Sequence, residues 1–263
     1  MRYTLITGAS SGIGAQYARL SGQAGQNVIL VSNQPKELEM LAAEIAQSCG
    51  VVAKSISIDL STADAAQQIY DTVKGWGGEV DTLISNAGVL HFGKFVKTTP
   101  RYIDFITALH CTTPMKLCQL FGADMAARGV GKILIMSSMT AWTPYPTMSL
   151  YGSTKVLLKN FAQSLWYELR ESGVSVTTVY PGAVDTPLYN LPESKRRLFR
   201  MLGVMLTPQS VAQRGLRAMN RGRRTLVPGL FTKVAVLACR LLPAVALLPV
   251  VKIPAIRRVL DRL

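Results

Sequence analysis

The chain has 263 residues, 49% of them hydrophobic, with 21 glycines and a formal net charge of +14. Such a length and composition support one large α/β domain or two small ones and exclude a globally disordered chain. Residues 1–194 balance 14 Lys/Arg against 14 Asp/Glu, so the whole excess lies in residues 195–263, where 15 Lys/Arg face the single acid Asp261; that quarter is also apolar, which suits an anionic membrane and argues against nucleic acid.

A strand, Tyr3–Thr7, begins almost at once, leaving no room for a signal peptide and implying a cytoplasmic protein. It runs into Gly8-Ala-Ser10-Ser11-Gly12-Ile13-Gly14 and then a helix to about Gly22. Glycines at 8, 12 and 14 let the backbone turn tightly and admit a pyrophosphate to the helix N-terminus, where free N–H groups and the dipole favour an anion. A glycine loop between a strand and a helix predicts dinucleotide binding. The second strand, Asn27–Val31, ends in Ser32-Asn33-Gln34. No carboxylate there holds a ribose 2′-hydroxyl and no arginine binds a 2′-phosphate; the missing acid favours NADP, with NAD as the alternative and Lys36 the nearest positive charge.

A helix over Pro35–Cys49 buries Leu38, Leu41, Ala42 and Ile45. The third strand, Val51–Ile58, is closed by Asp59-Leu60; an aspartate on that rim can accept a hydrogen bond from adenine or simply cap a helix. The fourth, Val80–Ser85, leads into Asn86-Ala87-Gly88, a polar turn suited to the cofactor's inner ribose. This alternation predicts an α/β fold: a doubly wound, seven-stranded parallel sheet with helices on both faces and ligands at the strands' carboxyl ends.

Ile103 to about Arg128 reads as one long helix, in which Pro114 either makes a kink or marks the true first turn. Gly131–Ser137 is a buried strand that delivers Ser138. After the segment Met139–Met148, a helix to about Glu171 opens with Tyr151 and Lys155, four apart and so on one face. An ammonium beside a phenol eases its deprotonation near neutrality, while a serine hydroxyl can grip the same substrate oxygen. The sixth strand, Val174–Tyr180, ends in Pro181-Gly182-Ala-Val184-Asp-Thr186, on the rim where a nicotinamide belongs. Residues 188–206, basic and partly amphipathic, are placed for a substrate lid; Thr207–Arg221 is a helix and Arg224–Pro228 the last strand. Val89, Leu90, Met139, Trp142, Leu188 and Leu191 favour a hydrophobic substrate, with His91 and Tyr145 available for one polar end. Cys49, Cys111, Cys118 and Cys239 lack C-x-x-C spacing and read as core residues in a reducing compartment.

Thr7-Gly8-x3-Gly12-x-Gly14, Asn86-Ala87-Gly88, Ser138, Tyr151-x3-Lys155 and Pro181-Gly182-x3-Thr186 together resemble the short-chain dehydrogenase/reductase family, over roughly residues 3–228. The resemblance implies an NADP-preferring ketone reductase, or the reverse reaction. In it Ser138 orients the carbonyl, Tyr151 donates its proton, and Lys155 tunes Tyr151 and holds the nicotinamide ribose. It further implies pyrophosphate contacts from Gly8, Ser11, Gly12, Ile13 and Gly14, adenine at Asp59, and the adjoining ribose at Asn86, Ala87 and Gly88. Pro181, Gly182, Val184 and Thr186 bracket the carboxamide, and Ser10, Ser32, Asn33 and Leu60 join the cofactor contacts. No metal is implied; a homodimer or homotetramer through two long helices is. Two positions depart from the family pattern. His110 stands where an asparagine usually holds a proton-relaying water. A neutral imidazole can hold that water or shuttle the proton, unless the break at Pro114 shifts the register and His110 merely packs. Ser85 replaces the first asparagine of an Asn-Asn-Ala-Gly motif.

Residues 1–228 thus form the expected catalytic domain and 229–263 a basic, apolar, helical extension. Val234–Val251 carries only Arg240, but that charge with Pro243 and Pro249 opposes a simple membrane span. Peripheral docking through Arg221, Arg223, Arg224, Lys233, Lys252, Arg257, Arg258 and Arg262 is the first reading; folding over the cleft or a partner subunit is the second. Such a tail resembles those of reductases of lipid ketones, and the resemblance implies a lipid-like ketone or alcohol substrate: a 3-ketoacyl thioester, 3-ketosphinganine or a ketosteroid. The competing functions are a small-molecule or sugar ketone reductase whose tail serves assembly, and a catalytically silent dinucleotide-binding scaffold or redox sensor.

Overall fold

The computed structural model describes residues 1–142, 144–186 and 193–241. Its strands are β1 (Arg2–Thr7), β2 (Val28–Ser32), β3 (Ala53–Ser57), β4 (Glu79–Ser85), β5 (Gly131–Met136), β6 (Val174–Val179), β7 (Ala183–Val184), β8 (Met205–Leu206) and β9 (Thr225–Leu226). Seven of them make one sheet in the order β3-β2-β1-β4-β5-β6-β9, and every neighbouring pair is parallel. β7 and β8 form a separate small parallel pair; β7 falls in the rim segment after β6 and β8 at the end of the expected lid, and neither was expected as a strand.

The helices are α1 (Gly12–Gln23), α2 (Pro35–Cys49), α3 (Ala65–Gly75), α4 (Pro100–Thr107), α5 (Thr113–Arg128), α6 (Ser149–Arg170), α7 (Glu193–Met201), α8 (Pro208–Asn220) and α9 (Leu230–Leu241). Successive strand residues point to opposite faces, and the core divides accordingly. Leu5, Ile29, Val31, Leu83, Ile133 and Ile135 pack against α3, α5 and α6. Ile6, Val28, Leu30, Ile84, Leu134 and Met136 pack against α1, α2 and α8. Strands buried on both faces need no polar alternation, which is why they read as continuous apolar runs.

Two segments differ from the sequence reading. α3 lies in a stretch for which no helix had been delimited; its small and polar residues hide a short stripe of Ala65, Ala66, Ile69 and Val73. The expected single helix over 103–128 begins earlier, at Pro100 after the Thr99 cap, and is interrupted by a π-helical turn over Ala108–Thr112. Pro114 has no N–H for the carbonyl of His110, so the ladder widens by one residue there and α5 restarts with Pro114 in its first turn. His110 sits in that widened turn.

Of the expected lid, residues 188–192 lie outside the described residues, including Leu188 and Leu191; the remainder forms α7 and β8. Leu230–Leu241 forms α9, and residues 242–263, the rest of the expected extension, lie outside the described residues.

Candidate active site

The carboxyl ends of β1 to β6 open on a cavity of about 800 Å³. One half is lined by Gly8, Ser10, Ser11, Gly12 and Ile13 from the β1–α1 turn, Ser32 and Asn33 after β2, Asp59 and Leu60 after β3, and Asn86, Ala87 and Gly88 after β4. Ser138, Tyr151, Lys155, Pro181, Gly182, Val184 and Thr186 line it farther along. Of the catalytic and cofactor-binding residues expected from the sequence, Gly14 and His110 are absent from the lining.

Gly14 works from behind. A Cβ on it would stand 2.0 Å from the Gly8 carbonyl oxygen and 2.7 Å from Asn86 Nδ2, so its missing side chain lets α1 press against the turn. Gly8 itself has φ +65°, and a Cβ there would meet Ala87 Cα at 2.8 Å. The turn is clamped by residues 79 positions away. Asn86 Nδ2 donates to the Thr7 carbonyl at 3.0 Å, and Thr7 Oγ1 accepts from the N–H groups of Asn86 and Ala87 at 2.9 and 3.0 Å. A backbone cradle at the start of a helix, with no side chain intruding, fits a pyrophosphate. Asp59 lines the cavity and also caps the next turn, its Oδ1 accepting from Ser61 N and Oγ at 2.9 and 2.7 Å. At the end of β2, Ser32 Oγ lies 3.0 Å from Ser10 Oγ and accepts from Gln34 N.

At the reactive end, Ser138 follows β5 and Tyr151 and Lys155 occupy the first turns of α6. Ser138 Oγ accepts from Thr140 N at 3.2 Å, which leaves its hydrogen for an incoming oxygen. Lys155 is 4% exposed; Nζ donates to the Met136 carbonyl at 3.2 Å and lies 5.6 Å from the Tyr151 ring centroid. Burial brings its pKa down from 10.5 to about 8, the Cys111 side chain opposing that shift. A Cβ on Gly88 would stand 3.0 Å from His110 Nε2 and 3.7 Å from Lys155 Nζ, so the turn after β4 runs directly over both.

His110 is fully buried and both ring nitrogens are engaged. Nε2 accepts from Val89 N at 2.9 Å, which puts the ring proton on Nδ1, 3.0 Å from Thr154 Oγ1; Thr154 Oγ1 in turn donates to the Tyr151 carbonyl at 2.7 Å. Burial first, then the Lys155 charge, hold the imidazole's pKa well below 6.5. The ring thus joins the loop after β4 to the helix turn that carries Tyr151, whose own ring it meets edge-on at 5.7 Å between centroids. Because the folded chain resists protonation here, the unfolded chain binds the extra proton below pH 6.5, and stability falls on acidification through that range. We expect the melting temperature to drop more steeply below about pH 6.5 in the wild type than in His110→Leu; parallel curves would show that the ring titrates normally.

Apolar side chains complete the cavity: Val89, Leu90, Phe92, Phe105, Leu109, Met139 and Met148, with Phe231 and Ala235 from α9. Among the described lining residues Asp59 and Lys155 carry the only formal charges. Tyr145 lines the cavity as expected, but His91 stacks on Tyr102 instead, 4.6 Å between centroids. Trp142 is likewise displaced from the lining, gripped by Lys159 and Arg240 over its ring at 4.5 and 4.9 Å. Thr154, Phe231 and Ala235 were not singled out in the sequence, and Thr7 entered only as the first residue of the glycine motif, with no role of its own. Thr154 alone had a local signal, a hydroxyl three residues after Tyr151 in a helix.

The family model for short chain dehydrogenase matches residues 2–196. The chain is 32% identical to 17-beta-hydroxysteroid dehydrogenase type 3 of Mus musculus over 194 residues, which is 71% of this chain and 61% of that protein. It spans between 31 and 80% of the length of the curated relatives it matches. Among solved structures it resembles the bulky-bulky ketone specific alcohol dehydrogenase from Comamonas testosteroni, with 28% identity, TM-score 0.76, and 87% of this chain and 86% of that one covered. It also resembles a short-chain dehydrogenase from Sphingobium yanoikuyae in complex with NADPH, with 27% identity, TM-score 0.79, and 90% and 92% covered.

Proposed function

Since the chain belongs to the short chain dehydrogenase family, we propose that it interconverts a bulky, apolar ketone and its secondary alcohol with NADP(H). One observation carries the reading: Ser138, Tyr151 and Lys155 share a single cavity with a glycine cradle, and the space between is walled by apolar side chains. The likeness to enzymes named for a hydroxysteroid and for bulky ketones supports the same substrate class.

When bound, the nicotinamide supplies or receives the hydride. The chain's own groups manage the oxygen and the proton. Ser138 donates its hydroxyl hydrogen to the carbonyl oxygen and meets negative charge as it develops there. Tyr151 gives its phenolic proton to the same oxygen. Lys155, within the same face of α6, stabilises the phenolate that remains. His110 is a positioning residue: with both nitrogens committed, it fixes the turn of α6 beneath Tyr151 and relays no proton to the substrate. Ser10, Ser32 and Asn33 would face a 2′-phosphate, and no carboxylate among them would repel it; the NADPH-bound neighbour supports that choice.

The test is oxidation of NADPH and NADH against a ketosteroid, a 3-ketoacyl thioester, 3-ketosphinganine and a sugar ketone. We expect a bulky apolar ketone to exceed the sugar by about a hundredfold in kcat/KM, with NADPH favoured. Tight NADPH binding without turnover of any ketone would overturn the proposal, as would preference for the sugar.

A further inference from the structure

α9 presents three different faces. Thr232 and Val236 are buried against the body, where the missing side chain of Gly182 makes room: a Cβ there would lie 2.5 Å from Thr232 Oγ1. Phe231 and Ala235 face the cavity. Leu230, Val234, Leu237 and Leu241, spaced at i, i+4, i+7 and i+11 and therefore on one side of the helix, are 79, 58, 57 and 75% exposed. That uncovered stripe runs beside the cavity-facing edge, and Phe231, itself half exposed, belongs to the mouth.

α7 borders the same mouth. Arg196 and Arg200 bind the buried Asp185, which lies between the cavity-lining Val184 and Thr186, and the strand that follows α7 places Leu206 against Gly229 at the start of α9. Leu198, Met201 and Leu202 of this region are also exposed, at 51, 76 and 63%. The two acids nearby are already taken, Asp185 by both arginines and Glu193 by Arg196 and Arg200. Lys195, Arg197 and Lys233 are exposed and have no ion pair among the described residues.

We propose that the apolar stripe of α9, together with the exposed end of α7, docks on an anionic lipid surface, with the mouth of the cavity against it. Charge selects this occupant. A second copy, or residues 242–263 of the same chain with Lys252, Arg257, Arg258 and Arg262 against Asp261, would bring further positive charge to a face that is already basic. Anionic headgroups neutralise it while the leucines and valine leave water. Among the described residues no helix is long and apolar enough to cross a membrane, which fits a helix lying in the interface. The docking goes beyond the reaction proposed above and does not depend on it.

The experiment is sedimentation of the full chain with phosphatidylcholine vesicles, with and without about one quarter phosphatidylserine, at low and high salt. The wild type is expected to bind only the anionic vesicles and to be released by salt. Val234→Glu/Leu237→Glu is expected to weaken that binding by at least about tenfold, with turnover of a water-soluble ketone unchanged. Binding that survives this double change would overturn the proposal by assigning lipid contact elsewhere. So would failure to bind, whether or not the wild type then self-associates through this face.

Discussion

Tyr151→Phe is expected to lower kcat by about a thousandfold while NADPH binds within about threefold of the wild-type affinity. The substitution removes one oxygen and leaves the rest of the neighbourhood in place. Thr154 bonds the backbone carbonyl of residue 151, and the edge-on contact with His110 involves only the ring. A loss confined to kcat therefore reports the missing proton. Single-turnover rates and a fluorescence titration of NADPH would separate the two quantities. Activity within tenfold of the wild type would mean that another group supplies the proton. Ser138→Ala removes a donor and no proton, so its loss is expected to be smaller, about a hundredfold.

Lys155→Met should have opposite effects on stability and activity. The ammonium is buried, and its pKa of about 8 against 10.5 corresponds to about 3 kcal/mol of destabilisation carried at pH 7. The sign follows from the protons bound. Below pH 8 both folded and unfolded chains hold the proton, and the folded state bears the whole cost of the buried charge. Between 8 and 10.5 the unfolded chain binds more protons, so wild-type stability rises with pH, and above that range the cost is gone. Methionine fills a similar volume without charge but forfeits the hydrogen bond to Met136 O, which offsets about 1 kcal/mol. The variant is thus expected to be more stable than the wild type by roughly 2 kcal/mol at pH 7, with the difference disappearing near pH 10, while turnover is lost. A variant less stable at pH 7 and indifferent to pH would show that the lysine is stabilised in place by partners stronger than burial. Such a stabilising loss of function is the signature of a charge retained for chemistry.

Much of this was legible because the signals were local. Strand cores such as Ile133–Met136 show as apolar runs, and Gly8, Gly12 and Gly14 mark a tight passage whatever surrounds them. Tyr151 and Lys155 are brought together by helix geometry alone. What the sequence withheld depends on long-range contact. Gly14 read as a ligand contact, yet it is Asn86 and the Gly8 carbonyl that need its bareness. Trp142 read as a substrate wall until Arg240, 98 residues on, claimed its ring. Phe231 and Ala235 reach the cavity only because α9 settles on Gly182. The π-helical turn has a local cause in Pro114, but its outcome, a histidine bonded at both nitrogens, required Val89 and Thr154 to arrive from other elements.

The clamp between Thr7 and Asn86 also orders events during synthesis. A ribosome synthesises β1, the glycine turn, and the next two strand–helix units before either amide that closes on Thr7 Oγ1 has been made. Until Ala87 emerges, the nascent chain has no finished nucleotide cradle. A dinucleotide held there would therefore stabilise the sheet late, since β1, the strand translated first, pairs with both β2 and β4 before the cradle is complete.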